Sequence, residues 1–257
     1  MIFDTHAHYD DEAFDEDREA VLASLQEKGV GTVVNICASR ASLGRIEELV
    51  TAYPFVYGAV GVHPDHAGEM DEECMAELSR LAKLTKIVAI GEIGLDYYWD
   101  TAPHEVQRDW FCRQLQLALE VDLPVVIHSR EATQETLDIM RETYRASGGK
   151  LRGVIHCFSG SAKIAKEYTD MGFYIGVGGV VTFKNGKKLK EVVEAMPLDK
   201  LVIETDCPYL APVPFRGKRN DSTMLTYVIE EIATLRGITA DEVERVTEEN
   251  ARRLYGL

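Results

Sequence analysis

His6 and His8 stand one residue apart at the end of the first apolar run of the chain, and an extended backbone puts alternate side chains on one face. Two imidazoles side by side suit a metal ion. Glu92 closes the run Ile87–Gly91, with Gly91 and Gly94 leaving room for other groups to come close. His128 follows Pro124–Ile127, His156 follows Gly153–Ile155, and Asp206 follows Leu201–Glu204. A single histidine at a strand end is as well explained by a hydrogen bond to a loop carbonyl. Four histidines and two carboxylates at the same end of different strands are not explained as caps. They form the donor set of a binuclear site. Mixed imidazole and carboxylate donors suit Zn²⁺, Mn²⁺, Fe²⁺ or Co²⁺, and with fewer imidazoles Mg²⁺, and donor type alone does not choose among them. Two divalent ions about 3.5–4 Å apart lower the pKa of a shared water and neutralise an oxygen that gains charge, which is the chemistry of hydrolysis.

The elements that must position these residues alternate. Apolar runs at Met1–Asp4, Gly31–Ile36, Phe55–Gly61, Ile87–Gly91, Pro124–Ile127, Gly153–Ile155, Phe173–Val177 and Leu201–Glu204 read as strands. Between them Glu16–Lys28, Ala41–Thr51, Glu72–Leu84, Glu105–Val121, Glu131–Tyr144, Ala162–Met171 and Lys187–Ala195 have helical spacing. Further helices are expected over Ser222–Leu235, Ala240–Thr247 and Glu249–Tyr255, after a Pro-containing, basic loop at Pro208–Arg219. Strands apolar on both faces imply a parallel sheet. No G-x-G-x-x-G follows the first strand, so a doubly wound open sheet is second to a (β/α)₈ barrel occupying residues 1–257 as one domain. In such a barrel the strand tips converge on one mouth, where the chemistry is kept.

Other residues reach that mouth. His63, in Gly61-Val62-His63-Pro64, either faces a substrate or is fixed by the turn that Pro64 starts. Lys184, Lys187, Lys188, Arg216, Lys218 and Arg219 fall in or after the loops following strands seven and eight, where barrels often bind phosphate. Tyr97, Tyr98 and Trp99 follow Glu92 and are placed either to stack on bases or to pack the rim. His104 is expected at the surface.

Composition bounds the rest. With 257 residues, 46% hydrophobic and 28% charged, the chain can fold throughout. A net charge of −15 argues against broad attraction to nucleic acid, although bound cations would carry phosphate contacts locally. The five cysteines are widely spaced without a C-x-x-C pair, as expected of reduced thiols. The start Met1-Ile2-Phe3-Asp4 lacks a secretory pattern, so the expected location is cytoplasmic. The longest apolar stretch, Phe173 to Phe183, is shorter than the roughly 18–20 residues of a membrane span.

D-T-H-A-H at 4–8, G-V-H-P at 61–64, G-E-I-G-L-D-Y-Y at 91–98, I-H-S-R at 127–130, H-C-F-S-G at 156–160, E-T-D at 204–206 and R-G-K-R-N at 216–220 together resemble the TatD family of metal-dependent deoxyribonucleases, within the wider amidohydrolase-like barrels. The resemblance runs end to end. It implies that His6, His8, Glu92, His128, His156 and Asp206 are metal ligands, with Glu92 bridging, His6, His8 and Asp206 on one ion, and His128 and His156 on the other. By the same likeness His63 and Arg216 contact phosphate, and Glu92 and Asp206 are the catalytic carboxylates. Where the family often continues R-G-K-x-N-E-P, this chain has Arg216-Gly217-Lys218-Arg219-Asn220-Asp221-Ser222, a departure confined to a loop. The implied activity is hydrolysis of DNA, at single strands or 3′ ends, by a monomer using two divalent ions (Mg²⁺, Mn²⁺ or Zn²⁺). Two other readings compete with it. One is an amidohydrolase or esterase acting on a small molecule or an aminoacyl-tRNA ester; the other is a metal-binding or nucleic-acid-associated scaffold without turnover, for which so full a donor set would have no use.

Overall fold

Strands apolar on both faces stay in a sheet only where both faces are covered. In the computed structural model, which describes residues 1–99 and 101–257, eight parallel strands carry helices outside and their own side chains inside. The elements are β1 (Ile2–Ala7), α1 (Arg18–Leu25), β2 (Val30–Ile36), α2 (Leu43–Ala52), β3 (Val56–Val60), α3 (Glu72–Leu81), β4 (Ile87–Asp96), α4 (His104–Val121), β5 (Val125–Arg130), α5 (Thr133–Ala146), β6 (Gly153–Ile155), α6 (Ala162–Asp170), β7 (Tyr174–Val177), α7 (Lys187–Ala195), β8 (Leu201–Ile203), α8 (Leu225–Arg236) and α9 (Ala240–Tyr255). Strands pair in chain order from β1 to β8, without the reversal of order that a doubly wound sheet requires. The (β/α)₈ expectation holds.

The first and last strands meet at their C-terminal ends. The Asp206 N–H donates to the His6 carbonyl at 2.9 Å and the His8 N–H to the Cys207 carbonyl at 2.8 Å. Asp4 ties the same seam together. Its Oδ1 accepts the N–H groups of Thr205 (3.0 Å) and His6 (3.2 Å), and its Oδ2 accepts the hydroxyls of Thr205 (2.6 Å) and Ser222 (2.7 Å). Burial pushes the Asp4 carboxyl up to about 6, against the opposing pull of these donors.

At the other end the barrel is plugged. Phe3, Val34, Val88, Val126, Val154 and Val202 form a buried layer with Ala251, Leu254 and Tyr255 of α9. The Tyr255 ring stacks 6.1 Å from Phe3, and its hydroxyl donates to the Thr5 carbonyl at 2.9 Å. The Met1 ammonium pairs with Glu248 of the same helix at 2.9 Å. Between strands and helices lies a larger apolar shell that includes Leu22, Ile46, Leu78, Phe111 and Leu137. Each such side chain contributes about 1.5–3 kcal/mol on burial, which offsets the cost of burying polar groups at the mouth.

Several boundaries differ from the sequence expectation, and two of the differences are instructive. The fourth strand does not end at Gly91 but continues through Asp96, so Glu92 lies within β4 rather than at its tip. Its glycines do let neighbouring groups come close. A Cβ on Gly91 would fall 2.6 Å from that of Val126, and one on Gly94, at φ +151°, would collide with the carbonyl oxygen of His128. The two expected C-terminal helices are one, α9, because Thr247 donates its hydroxyl to the Val243 carbonyl at 2.8 Å and so stays buried inside the helix instead of breaking it.

Gly94→Ala should therefore destabilise the protein by about 3 kcal/mol or more, lowering the melting temperature by roughly 6–12 °C. Gly44→Ala, where an added Cβ meets nothing within 4 Å, should be neutral or stabilising by less than about 1 kcal/mol. Thermal melts of both variants check the pair, and equal melting temperatures would contradict the β4–β5 contact.

Candidate metal centre

The six candidate ligands come together at the C-terminal end of the barrel: His6 from β1 and His8 just after it, Glu92 from β4, His128 from β5, His156 just after β6 and Asp206 just after β8. Glu92 lies in the middle. Its Oε2 is 3.4 Å from His6 Nε2 and 4.0 Å from His8 Nε2, while its Oε1 is 2.8 Å from His128 Nδ1 and 3.8 Å from His156 Nε2. Asp206 Oδ1 lies 3.3 Å from His8 Nε2, 3.6 Å from His156 Nε2 and 3.7 Å from His6 Nε2. Asp206 adopts the left-handed conformation at φ +58°, which an aspartate tolerates better than most residues, and thereby turns into the cluster directly after the seam bond to His6.

The rings are aimed from behind. His8 Nδ1 is 2.9 Å from the Ile36 carbonyl, which can only accept, so the proton sits on Nδ1 and Nε2 faces His6 Nε2 at 3.0 Å. His6 and His156 stack at 3.4 Å between ring centroids. Two carboxylates not assigned from the sequence do similar work. Asp96 Oδ2 holds His128 Nε2 at 2.9 Å, and Glu204 Oε1 lies 3.1 Å from His156 Nδ1, off the line of a good hydrogen bond, while accepting the Cys157 N–H at 2.6 Å. Gly176 makes room for Glu204, whose carboxylate a Cβ there would meet at 2.5 Å. Both residues sit inside the quoted motifs, G-E-I-G-L-D and E-T-D. Their parity with Glu92 and Asp206 along the chain was the available signal.

Electrostatics follow from burial and neighbours. Burial alone would raise Glu92, but the imidazoles of His156, His6 and His63 and the bond from His128 hold it well below the usual carboxylate range. Burial also opposes charge on His8, yet Asp206 raises it to about 10. His128 rises to about 9 through Asp96 and Glu92, and His156 to about 9 through Glu204 and Glu92, in each case against burial. His6 is pushed down to about 4 by burial and by His156.

His63 and Arg216 part company. His63 Nδ1 accepts the Asp65 N–H at 3.2 Å, as cap of the turn beginning at Pro64, and burial lowers its pKa to about 3. The neutral ring therefore carries its proton on Nε2, which points at Glu92 Oε1 from 3.8 Å as a donor and not as a lone pair. Of the two sequence readings of His63, the structure bears out the turn, and the ring also borders the cluster. Arg216 stays outside the cluster, on the exposed loop before α8, with its guanidinium 4.5 Å from the Phe183 ring. Arg219 is committed to Asp17 at 2.6 Å.

The donors fit divalent cations. Among the described residues four groups have ligand-type atoms within 4.8 Å of one another: His6 with His156 and Asp206, His6 with His8 and Glu92, and two that include His63, with Glu92 and His128 and with Asp65 and Asp96. Two Nε2 atoms at 3.0 Å must share a proton or face one cation, and a deeply buried carboxylate between imidazoles is the matching anionic donor.

Comparison with known proteins agrees with this geometry. Residues 3–256 match the family model described as TatD related DNase. An uncharacterized metal-dependent hydrolase, YabD of Bacillus subtilis, is 46% identical over 257 residues, covering all of both chains. The 3′-5′ ssDNA/RNA exonuclease TatD of Pantoea vagans is 33% identical over 262 residues, again across both full lengths. The crystal structure of YJJV, a TatD homologue of Escherichia coli K12, superposes with a TM-score of 0.92 at 31% identity, covering 100% of this chain and 98% of that one.

A cation entering this centre must displace protons from His8, His128 and His156, whose values lie above the ordinary 6.5. Affinity for Mn²⁺ or Zn²⁺ should therefore climb as pH rises from about 6.5 to 9 and level off near 10. Titration calorimetry in two buffers of different ionisation enthalpy should register release of protons at neutral pH. A pH-independent affinity without proton release would contradict the assignment.

Proposed function

Because the chain belongs to the TatD family of metal-dependent hydrolases, we propose that its reaction is hydrolysis of phosphodiester bonds in DNA, at the 3′ end of a single strand. The observation that carries this reading is the Glu92 carboxylate, one oxygen toward His6 and His8 and the other toward His128 and His156, as a residue bridging two cations would be. His6, His8 and Asp206 would hold one ion, His128 and His156 the other, and Mg²⁺, Mn²⁺ or Zn²⁺ all suit the donors. Such ions supply Lewis-acid stabilisation of phosphate oxygens and lower the pKa of water.

The chain's own groups do the rest. Glu92, kept ionised by its imidazoles, fixes the spacing of the two halves of the site. Asp206, also ionised because the His8 bond and the nearby imidazoles outweigh burial, orients the attacking water in line with phosphorus and takes up its proton as the bond from phosphorus to the leaving oxygen of the strand breaks, that oxygen taking a proton from solvent. His63 donates from Nε2 to a non-reacting phosphate oxygen, a role its tautomer supports. Arg216 contacts a neighbouring phosphate from the rim, and the Pantoea relative's name, which covers single-stranded DNA and RNA, supports a nucleic-acid substrate. In this reading residues 1–257 act as one catalytic domain and as a cytoplasmic monomer. Among the described residues no helix is long and apolar enough to cross a membrane.

With labelled single- and double-stranded DNA and Mg²⁺ or Mn²⁺, Glu92→Ala and His128→Ala should each lower turnover by about 10³-fold or more while keeping the native circular dichroism spectrum. Asp96→Ala and Glu204→Ala should cost roughly 10–100-fold through the rings they hold. Arg216→Ala should act mainly on KM. Full activity in Glu92→Ala would remove the reading; turnover of a carboxylic ester but not of DNA, indifferent to Arg216, would replace it with the carbonyl-directed alternative.

A further inference from the structure

Among the described residues the exposed large hydrophobic side chains are Met1 and Leu257 at the termini and Tyr98, Trp99, Tyr209, Val213 and Phe215, all of which lie in the loops that follow β4 and β8. Apart from the chain ends, the exposed large apolar side chains among the described residues are therefore confined to the mouth that carries the candidate metal centre. Phe215 has a covering partner in Tyr227, 5.3 Å away, and the Tyr209 hydroxyl is held by Asp11 at 2.7 Å. Tyr98 and Trp99, 50% and 58% exposed, are the two exposed rings of this set that stand side by side.

The backbone that carries these two rings is held by the centre itself. Asp96, whose Oδ2 holds His128, uses Oδ1 to accept the N–H groups of Tyr98 at 2.9 Å and Trp99 at 3.1 Å. One carboxylate thus separates the backbone of the aromatic pair from a candidate ligand. Arg130, two residues beyond His128 and in register with Asp96, sets its guanidinium 3.9 Å from the Tyr98 ring centroid and 5.4 Å from that of Trp99. The two rings meet edge to face at 5.0 Å. An open indole beside a guanidinium presents a stacking face and a cation for the phosphate attached to whatever stacks.

We propose that Tyr98 and Trp99, braced by Arg130, form a stacking subsite for one unpaired nucleobase next to the cleaved bond. The proposal rests on the phosphodiesterase reading and deepens it, since a base paired inside a duplex has no free face to offer and single strands or frayed ends are selected. It also supplies affinity that a chain of net charge −15 does not gain from general attraction to phosphate.

The test compares two single strands of equal length and charge with the Mn²⁺-loaded full chain: oligothymidylate, and the same strand with base-free tetrahydrofuran units at its last two 3′ positions. In the wild type, KM should be about tenfold lower for the base-bearing strand. Trp99→Ala should raise that KM until the two strands differ by less than about twofold, and Trp99→Phe should recover most of the difference. In Trp110→Phe, which leaves Trp99 as the only one of the two tryptophans, emission should be quenched by oligothymidylate and not by a strand lacking all bases. Equal KM values for the two strands in the wild type, with both cleaved, would overturn the stacking subsite and leave the hydrolysis reading standing. So would an equal loss on both strands in Trp99→Ala. Cleavage of neither strand would overturn both.

Discussion

Negative charge held out of water at Glu92, and largely so at Asp206, must be balanced within a few ångströms, and the architecture of the mouth is organised around that requirement. Imidazoles are suited to the task because they accept either of two neutralising species. A proton on His8 or His128 satisfies the carboxylates beside it; a divalent cation does the same with more charge and with chemistry to offer. Asp96 and Glu204, placed behind His128 and His156, bias the rings toward those charges, while His6 and His63 stay neutral under burial. Metal binding and proton loss are thus two sides of one equilibrium.

Much of this was legible in the chain. Each candidate ligand ends or lies just beyond an apolar run, and eight such runs alternating with helical segments dictate a barrel whose strand tips converge. What could not be read was whatever depends on register. Asp96 reaches His128 only because Gly94 pairs with His128 and Asp96 with Arg130 across β4 and β5, a relation no spacing within one segment reveals. Glu204 reaches His156 across β7, over the gap that Gly176 leaves. Gly91 and Gly94 could be read as places of close approach, but that the approaching groups are Val126 and the His128 carbonyl of β5 depends on the same register. The division of the last helix at Thr247 does not hold, because a weak helix former whose hydroxyl is satisfied within the helix need not end it.

Stability and chemistry are separated along the barrel axis. The apolar shell between strands and helices and the plug of Phe3 and Tyr255 hold the fold from the side and from below. The upper end is left to polar residues, a left-handed Asp206 and the seam around Asp4. The pair Tyr98 and Trp99 belongs to this upper end, anchored through its backbone so that its rings stay open.

The seam also governs timing. Thr205 lies 201 residues from the Asp4 carboxylate it grips, and Asp206 is the partner of His6 across the same junction. During synthesis the first imidazoles leave the ribosome long before the last carboxylate exists. A nascent or truncated polypeptide therefore holds an incomplete donor set, and competence to cut nucleic acid in this reading arrives only when β8 joins β1, after most of the chain has been released into the cell.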